Sequence, residues 1–306
     1  MRVGIVDIGT NSTRLLAADV TPDGRVTELE RRSEVTRLGQ GVDRTGALAD
    51  EAMDRVRAVL DEYRRRLDHH GVTATRAVLT SAVRDASNGA AFTAEVRERY
   101  GLDARELPGH EEARLTFLGA TSERPLDGTR LVVVDIGGGS TELVVGEDRE
   151  VLFEVSTQAG VVRQTERHIH HDPPEPEELQ AMAEEVAAIF AESVPADVRD
   201  SVRAGIAVAG TATSCAAIVQ HLDPYDPERV HGFRLLLGQT EEQLARLAAM
   251  PLAERREVAG LHPDRAPTIV AGVVLLQAAM RAFGLDEVEV SEHDILRGAA
   301  LDLAAG

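Results

Sequence analysis

An internal repeat constrains the fold of this chain more than any other feature of its sequence. The segment Val3–Ala17 reads VGIVDIGTNSTRLLA, and the segment Val132–Gly146 reads VVVDIGGGSTELVVG. Each runs from an apolar strand through Asp-Ile-Gly into a Ser-Thr run and a second apolar strand. Because self-similarity along a chain indicates a repeated structural unit, we expect two domains that each begin with the same β-hairpin.

The length and the alternation of predicted strands and helices support two α/β domains. A chain of 306 residues is long for one core and suits two. The unbroken apolar run Leu131–Asp135 is typical of a strand in a sheet that is covered on both faces. The turn signal Pro125–Gly128 predicts the boundary, which gives an N-terminal domain at 1–125 and a C-terminal domain at 126–306.

The repeated hairpins have the chemistry of a phosphate site. Glycines allow backbone N–H groups to approach an anion, and successive N–H groups in a tight turn form an anion nest. Asp7 and Asp135 each end a strand, where a carboxylate suits Mg²⁺, a cation that also takes phosphate oxygens. A third small-residue turn, 209–214, follows the predicted strand Ile206–Ala209 and offers a further phosphate position at a helix start. A single copy is compatible with an ordinary turn, whereas the three together favour phosphate binding.

Composition excludes several classes of function. The net charge of −19 argues against a broad surface for nucleic acid or an anionic membrane. The chain has no lysine, which excludes a P-loop of the G-x-x-x-x-G-K-[ST] type. The single cysteine, Cys215, excludes an internal disulfide and is expected to be a buried small residue. With no apolar run of about 18 residues and no signal peptide, we expect a cytoplasmic protein.

Five motifs carry a resemblance to a known family. In chain order they are DIGTNSTRLL, TSAVRDASN, GHEEARLTFLGA, VDIGGGSTELVVG and AGTATS. Together they resemble the exopolyphosphatase and guanosine pentaphosphate phosphohydrolase (Ppx/GppA) family, in its short two-domain form. The resemblance implies two actin-like, ribonuclease H-like α/β domains with a cleft between them, a Mg²⁺ or Mn²⁺ cofactor and a homodimer.

The resemblance also implies roles for individual residues. Glu112 matches the catalytic general base, and Arg84 matches an Arg that binds the transferring phosphoryl group. Asp135 and Glu142 match metal ligands, with Asp7 as a further contributor. The positions that match phosphate-binding residues are Asn11, Ser12, Thr13, Gly137, Gly138, Ser140 and Thr141, and the third turn adds Gly210 and Thr211.

Other interpretations of these residues stay open at the level of the sequence. Glu111 and Glu112 open a helix, where the dipole favours acids in any case, and Arg84 is compatible with a surface ion pair. Arg14 either reaches the site or points outward. The group His168, His170, His171 and Asp172 looks like a metal cluster, but its spacing and its proline-rich surroundings favour a solvated turn. In the segment 291–298 the acid that often follows the family's last Arg is missing, which affects substrate preference.

We therefore expect an exopolyphosphatase that releases terminal phosphate from inorganic polyphosphate by attack of water. Hydrolysis of guanosine pentaphosphate (pppGpp) is the alternative with the same chemistry. A polyphosphate or alarmone sensor without turnover is the alternative from another class. An ATP-dependent kinase of the actin-like superfamily is disfavoured, because Glu112 fits water activation and the chain is too short for large adenosine-binding insertions. We expect no nucleic-acid or membrane partner.

Overall fold

The computed structural model describes residues 1–306 as eleven strands and fourteen α-helices, with a 3-10 turn at Pro263–Arg265. The strands are β1 Arg2–Ile8, β2 Ser12–Val20, β3 Val26–Val35, β4 Ala74–Leu79, β5 Ala104–Glu106, β6 Arg130–Ile136, β7 Thr141–Glu147, β8 Glu150–Thr157, β9 Ala204–Val208, β10 Arg234–Leu236 and β11 Glu287–Val290. The helices are α1 Val42–Thr45, α2 Asp50–His69, α3 Ser81–Asp85, α4 Gly89–Tyr100, α5 Gly109–Thr121, α6 Val161–His168, α7 Pro176–Ser193, α8 Ala196–Ser201, α9 Ala209–Val219, α10 Pro227–Val230, α11 Leu237–Ala248, α12 Leu252–Arg255, α13 Ile269–Ala282 and α14 Ile295–Ala305.

The chain forms two compact units. Unit 1 is Met1–Ser122 with Asp294–Gly306, and unit 2 is Glu123–His293. The predicted boundary after residue 125 lies close to the first division, but α14 belongs to unit 1 and not to the second domain as predicted. The physical reason is its close packing on α5, since a Cβ on Gly298 would lie 1.8 Å from the carbonyl oxygen of Leu115. Only glycine allows two helix backbones to approach so closely.

Unit 1 is built on a five-stranded mixed sheet of order β3-β2-β1-β4-β5. β1, β2 and β3 pair antiparallel, whereas β4 and β5 run parallel to β1. Side chains of a strand alternate between the two faces of the sheet. Val6 and Ile8 of β1 therefore pack in the core that contains α2 and α4, and Val3 and Ile5 pack in the core that contains α5 and α14.

Unit 2 repeats this arrangement and adds one edge strand. Its sheet has the order β10-β11-β9-β6-β7-β8. β6, β7 and β8 pair antiparallel, β9 and β11 run parallel to β6, and β10 is the added antiparallel edge. Five strands of each unit thus share one order and one set of directions. The predicted fold class, two α/β domains with a repeated mixed sheet, is confirmed.

Candidate functional site

The two repeated segments form equivalent hairpins, one in each unit. In unit 1 the N–H of Gly9 donates to the carbonyl of Ser12 at 2.9 Å, and in unit 2 the N–H of Gly137 donates to the carbonyl of Ser140 at 3.0 Å. The strands around each turn pair in the same register, with Asp7 opposite Arg14 and Asp135 opposite Glu142. The repeat that was seen in the sequence is therefore a repeat of backbone geometry.

The two hairpins differ in the residue opposite the aspartate. Arg14 donates to Oδ2 of Asp7 from Nε at 2.8 Å and lies 2.6 Å from it through a second nitrogen. Arg14 also forms an ion pair with Asp294 at the start of α14. Burial raises the pKa of Asp7, and the charge of Arg14 opposes that rise. The orientation of Arg14, left open by the sequence, is thus toward the aspartate. As a metal ligand Asp7 remains a prediction, and its ion pair with Arg14 weighs against it.

In unit 2 the same two positions hold carboxylates. Asp135 and Glu142 are both buried, and they lie directly opposite each other on antiparallel strands. Such residues share one face of the sheet, with Cβ atoms about 5 Å apart. The hydroxyl of Ser156 donates to Oε1 of Glu142 at 2.7 Å. Two buried carboxylates repel each other, and their oxygens are the ligands that Mg²⁺ or Mn²⁺ prefers, so this pair fits a divalent cation.

The turn of the second hairpin contains Gly137, Gly138 and Gly139, and we call it the glycine loop. Its carbonyls point toward α6. The N–H groups of Val161 and Val162 donate to the carbonyls of Gly137 and Gly138 at 2.9 and 2.8 Å, and Nε of Arg163 donates to the Gly139 carbonyl at 3.0 Å. In a trans peptide the N–H points away from the carbonyl of the same unit. The N–H groups of Gly138 and Gly139 therefore point away from α6, as an anion-binding turn at this position requires.

Five side chains predicted to bind phosphate lie at the two turns with different surroundings. Asn11 and Ser12 are half-buried, and the carbonyl of Asn11 accepts from the N–H groups of Thr36 and Arg37. By contrast, Thr13 is fully buried against Thr36, 3.0 Å between hydroxyls, and Thr141 is fully buried with its hydroxyl donating to the Ala159 carbonyl. The hydroxyls of both threonines are thus engaged within the hairpins, and phosphate binding by Thr13 and Thr141 remains a prediction. Ser140 is buried in the turn itself.

The predicted third turn is the first turn of a helix. β9 ends at Val208 and α9 begins at Ala209, whose φ of 64° places the sharp bend at that residue. The first N–H groups of a helix have no partner within the helix, and this is the physical basis for a phosphate position at Gly210 and Thr211. Arg265 braces the bend by donating to the Gly210 carbonyl at 3.0 Å.

Glu112 and Arg84 are brought together in unit 1. Arg84 donates to Oε2 of Glu112 at 3.1 Å and to the carbonyl of Leu107 at 2.7 Å. Glu112 lies in the first turn of α5 and is only 7% exposed. Its neighbour Glu111 pairs instead with Arg105 at 2.7 Å. The two adjacent acids therefore differ, and only Glu112 is a buried carboxylate held in place by a guanidinium.

Other candidates take structural roles. His168 pairs with Glu185, His171 pairs with Glu178, and Asp172 accepts from Arg255 and the backbone of Leu252. These contacts agree with a solvated turn rather than a metal cluster. Cys215 is buried, and burial raises the pKa of its thiol to about 12.

Sequence reasoning missed two features of the structure. One is Asp294, which reaches Arg14 from the far end of the chain. The sequence around Asp294 could have predicted that this residue caps α14, since Asp before an apolar run is a typical helix start. The other is a group of possible metal ligands, Glu123, His231 and His293. No local spacing reveals it, because its members come from three separate segments.

No helix in the chain has the length and apolar character that spanning a membrane would require.

Comparisons with known proteins agree with the fold and the motifs. A family model described as the Ppx/GppA phosphatase family matches residues 17–304. Exopolyphosphatase 2 of Mycobacterium tuberculosis is 38% identical over 315 residues, which cover 99% of this chain and 98% of that protein. The crystal structure of the Aquifex aeolicus member of the Ppx/GppA family has a TM-score of 0.83 and 31% identity, covering 99% of this chain and 97% of that one. An exopolyphosphatase structure from Cytophaga hutchinsonii has a TM-score of 0.89 and 28% identity, covering 99% and 98%. The duplicated hairpins and these full-length similarities lead to one conclusion: the chain belongs to the Ppx/GppA phosphatase family.

Proposed function

We propose that this protein is an exopolyphosphatase that releases terminal orthophosphate from inorganic polyphosphate. The observation that carries the proposal is Glu112, a buried carboxylate held 3.1 Å from Arg84 in a chain that matches exopolyphosphatase 2 over nearly its whole length. A carboxylate fixed in this way suits a general base, because a base must be oriented toward the proton that it removes.

The roles of the chain's own residues follow from their chemistry. Glu112 orients a water molecule and takes its proton as the water attacks the terminal phosphorus. Arg84 meets the charge on the phosphoryl oxygens, a role that suits a guanidinium fork. The N–H groups of Gly138 and Gly139 and the first turn of α9 hold oxygens of the polyphosphate chain. The leaving group is the shortened polyphosphate, and no covalent intermediate is needed.

A divalent cation completes this proposal. Asp135 and Glu142 would hold Mg²⁺ or Mn²⁺, and the ion would neutralise phosphate charge as the bond to the leaving oxygen breaks. Asp7 is a weaker candidate because Arg14 already engages its carboxylate. A homodimer is a further prediction that comes with the family, and a cytoplasmic location is one that comes from the sequence.

A second candidate substrate is pppGpp, which contains the same terminal phosphoanhydride. It needs no change in the roles of Glu112, Arg84 or the glycine loop, and it differs only in the nucleoside that follows the phosphates. Arg297 bears on this choice because the acid that often follows it in the family is absent. Arg297 is buried and donates from Nε to the Ser122 hydroxyl at 2.8 Å, so in this chain it braces unit 1.

The proposal is tested by phosphate release from polyphosphate of several lengths, pppGpp and ATP, with Mg²⁺ present. The wild type is compared with Glu112→Gln and with Glu111→Gln, a neighbouring acid on the same helix turn. We expect release from polyphosphate that falls about 10²- to 10⁴-fold in Glu112→Gln and is retained in Glu111→Gln. Clear preference for pppGpp would change the substrate but not the chemistry. Binding of these ligands without any turnover by the wild type would contradict the enzyme proposal and favour the sensor alternative.

A further inference from the structure

A group of three possible metal ligands lies within unit 2. Glu123, His231 and His293 each offer one ligand atom, and these atoms lie within 4.8 Å of one another. Oε2 of Glu123 is 3.8 Å from Nδ1 of His293. The two imidazole rings lie 4.3 Å apart between centroids, tilted by 40°. None of the three residues belongs to the proposed phosphate site.

The segments around the three residues make contacts of their own. Beside His231, the N–H of Gly232 donates to the Val290 carbonyl at 2.8 Å. The His293 N–H donates to the Ser291 hydroxyl at 3.0 Å. Beside Glu123, Arg124 forms an ion pair with Glu289 at 2.7 Å. A site whose supporting contacts are already in place binds an ion without much ordering of the chain.

The surroundings of His231 indicate which of its nitrogens is available. Its Nδ1 accepts from the N–H of Glu292 at 3.3 Å and lies 3.5 Å from the hydroxyl of Ser291. If Nδ1 carries the proton instead, the Ser291 hydroxyl accepts it while donating to the His293 carbonyl at 3.3 Å. A metal-bound histidine commonly donates its other ring N–H to an oxygen in this way, so with the proton on Nδ1 and accepted by Ser291, Nε2 of His231 is the nitrogen that would form the ligand bond.

We propose that Glu123, His231 and His293 form a binding site for a divalent transition-metal ion of the zinc type. Two imidazoles and one carboxylate suit Zn²⁺ and its neighbours rather than Mg²⁺, which prefers oxygen ligands alone. Ligands about 2.0–2.1 Å from a tetrahedral ion are about 3.3 Å apart. The ligand atoms, which lie up to 4.8 Å apart, would have to approach one another by up to about 1.5 Å, and the exposed side chain of Glu123 can supply part of that movement. Water would complete the coordination.

The positions of the ligands in the chain give such a site a structural consequence. Glu123 is the first residue of unit 2 and His293 is its last. An ion bound by both would join the two ends of this unit and add a link between segments that are distant in sequence. A ligand that binds only the folded state raises the stability of that state, so the bound ion is expected to stabilise the protein against heat.

The test measures Zn²⁺ binding to the full chain by calorimetry, after removal of metal and in excess Mg²⁺ to fill the oxygen-ligand sites. Co²⁺ is used in parallel, because its visible absorption reports the ligand geometry. The variants are His231→Gln, His293→Gln and Glu123→Gln. The controls are His262→Gln and His171→Gln, which alter exposed histidines outside the group. Melting curves without metal establish that each variant is folded.

We expect one Zn²⁺ per chain in the wild type and an upward shift of its melting temperature. Each ligand variant is expected to lose at least about tenfold in affinity, since changes even to outer partners of a metal site cost 10- to 100-fold. Both controls should keep wild-type affinity. Absence of Zn²⁺ binding, equal affinity in the wild type and in His231→Gln and His293→Gln, or loss of binding only in His171→Gln would each overturn the proposal.

Discussion

Arg14 donates to the carboxylate of Asp7 from Nε at 2.8 Å, directly across the first hairpin. In the second hairpin the position of Arg14 is taken by Glu142. One copy of the repeat thus contains an internal cation, and the other contains a second carboxylate. The first hairpin therefore holds a guanidinium opposite its aspartate, whereas the pair of carboxylates in the second suits an added cation.

Replacing Arg14 by Met is expected to destabilise the protein strongly. Arg14 is 16% exposed at its side chain and bridges two carboxylates that are each 5% exposed. Removal of one partner from a buried ion pair leaves an uncompensated charge and costs about 3–5 kcal/mol. The free energy of unfolding in urea measures the effect. The double variant Arg14→Met, Asp7→Asn should recover part of the lost free energy of unfolding, because it removes one of the two buried carboxylates that pair with Arg14 in the wild type.

Arg64→Met is the matched control for this prediction. Arg64 forms an i,i+4 pair with Asp68 on α2, where the carboxylate is 64% exposed. An exposed pair of this kind contributes about 0–1 kcal/mol. If Arg14→Met were as stable as Arg64→Met, the buried triad would contribute no more than a surface pair.

Glu142→Gln is expected to change the metal requirement of the proposed hydrolysis. Loss of one of two opposed carboxylates weakens the affinity for a divalent cation, so half-maximal phosphate release should need at least about tenfold more Mg²⁺. The measurement is phosphate release over a Mg²⁺ titration. Glu147→Gln, at the far end of the same strand beside Arg130, is the control and should keep the wild-type curve. An unchanged curve in Glu142→Gln would remove this residue from the metal site.

Gly160→Ala is expected to distort the glycine loop. A Cβ at this position would lie 2.4 Å from the carbonyl oxygen of Gly138 and 2.4 Å from the carbonyl carbon of Gly139. Both atoms belong to the backbone, so the loop itself must move. A displacement of about 1 Å at a reacting group costs about 10²-fold in rate. Phosphate release and binding of polyphosphate are therefore both expected to fall.

Gly238→Ala separates this effect from the general cost of losing a glycine. Gly238 lies in α11 with open space around the added Cβ. Alanine is favoured over glycine in a helix by about 1 kcal/mol, so the control should be at least as stable as the wild type and equally active. Full activity in Gly160→Ala would show that the loop tolerates the shift.

The sequence predicted local features well and long-range contacts poorly. Both hairpins were predictable because the Asp-Ile-Gly turn and its flanking strands are encoded within a few residues of one another. The place of α14 was not, because it depends on Gly298 meeting Leu115, a contact between distant segments. Phosphate binding by Thr13 and Thr141 stays a prediction, and the sequence did not reveal that their hydroxyls meet Thr36 and the Ala159 carbonyl. The segment 209–214 was predicted as a turn, but it is the first part of α9, because the chain changes direction at the single residue Ala209.

Glu178 is expected to give the protein a pH-dependent element of stability. It is the third residue of α7, and its carboxylate accepts from the N–H groups of Glu175 and His170 and from the ring of His171, each at 2.9 Å. Burial acts to raise the pKa of Glu178, but these hydrogen bonds outweigh it and lower the pKa to about 2. A carboxylate with a depressed pKa stabilises the folded state above its unfolded pKa and loses that effect as the pH falls.

The expected result is that Glu178→Gln melts at a lower temperature than the wild type at pH 7. The difference should shrink as the pH falls from about 4.3 toward about 2, because the wild-type carboxylate becomes protonated and then resembles the amide. Glu177→Gln is the control, since Glu177 lies in the same first turn and experiences the same helix dipole. Because Glu177 does not take part in the capping box, its replacement should lower the melting temperature less. Equal effects of the two variants at pH 7 would mean that the dipole, and not the hydrogen bonds to Glu178, stabilises this end of α7.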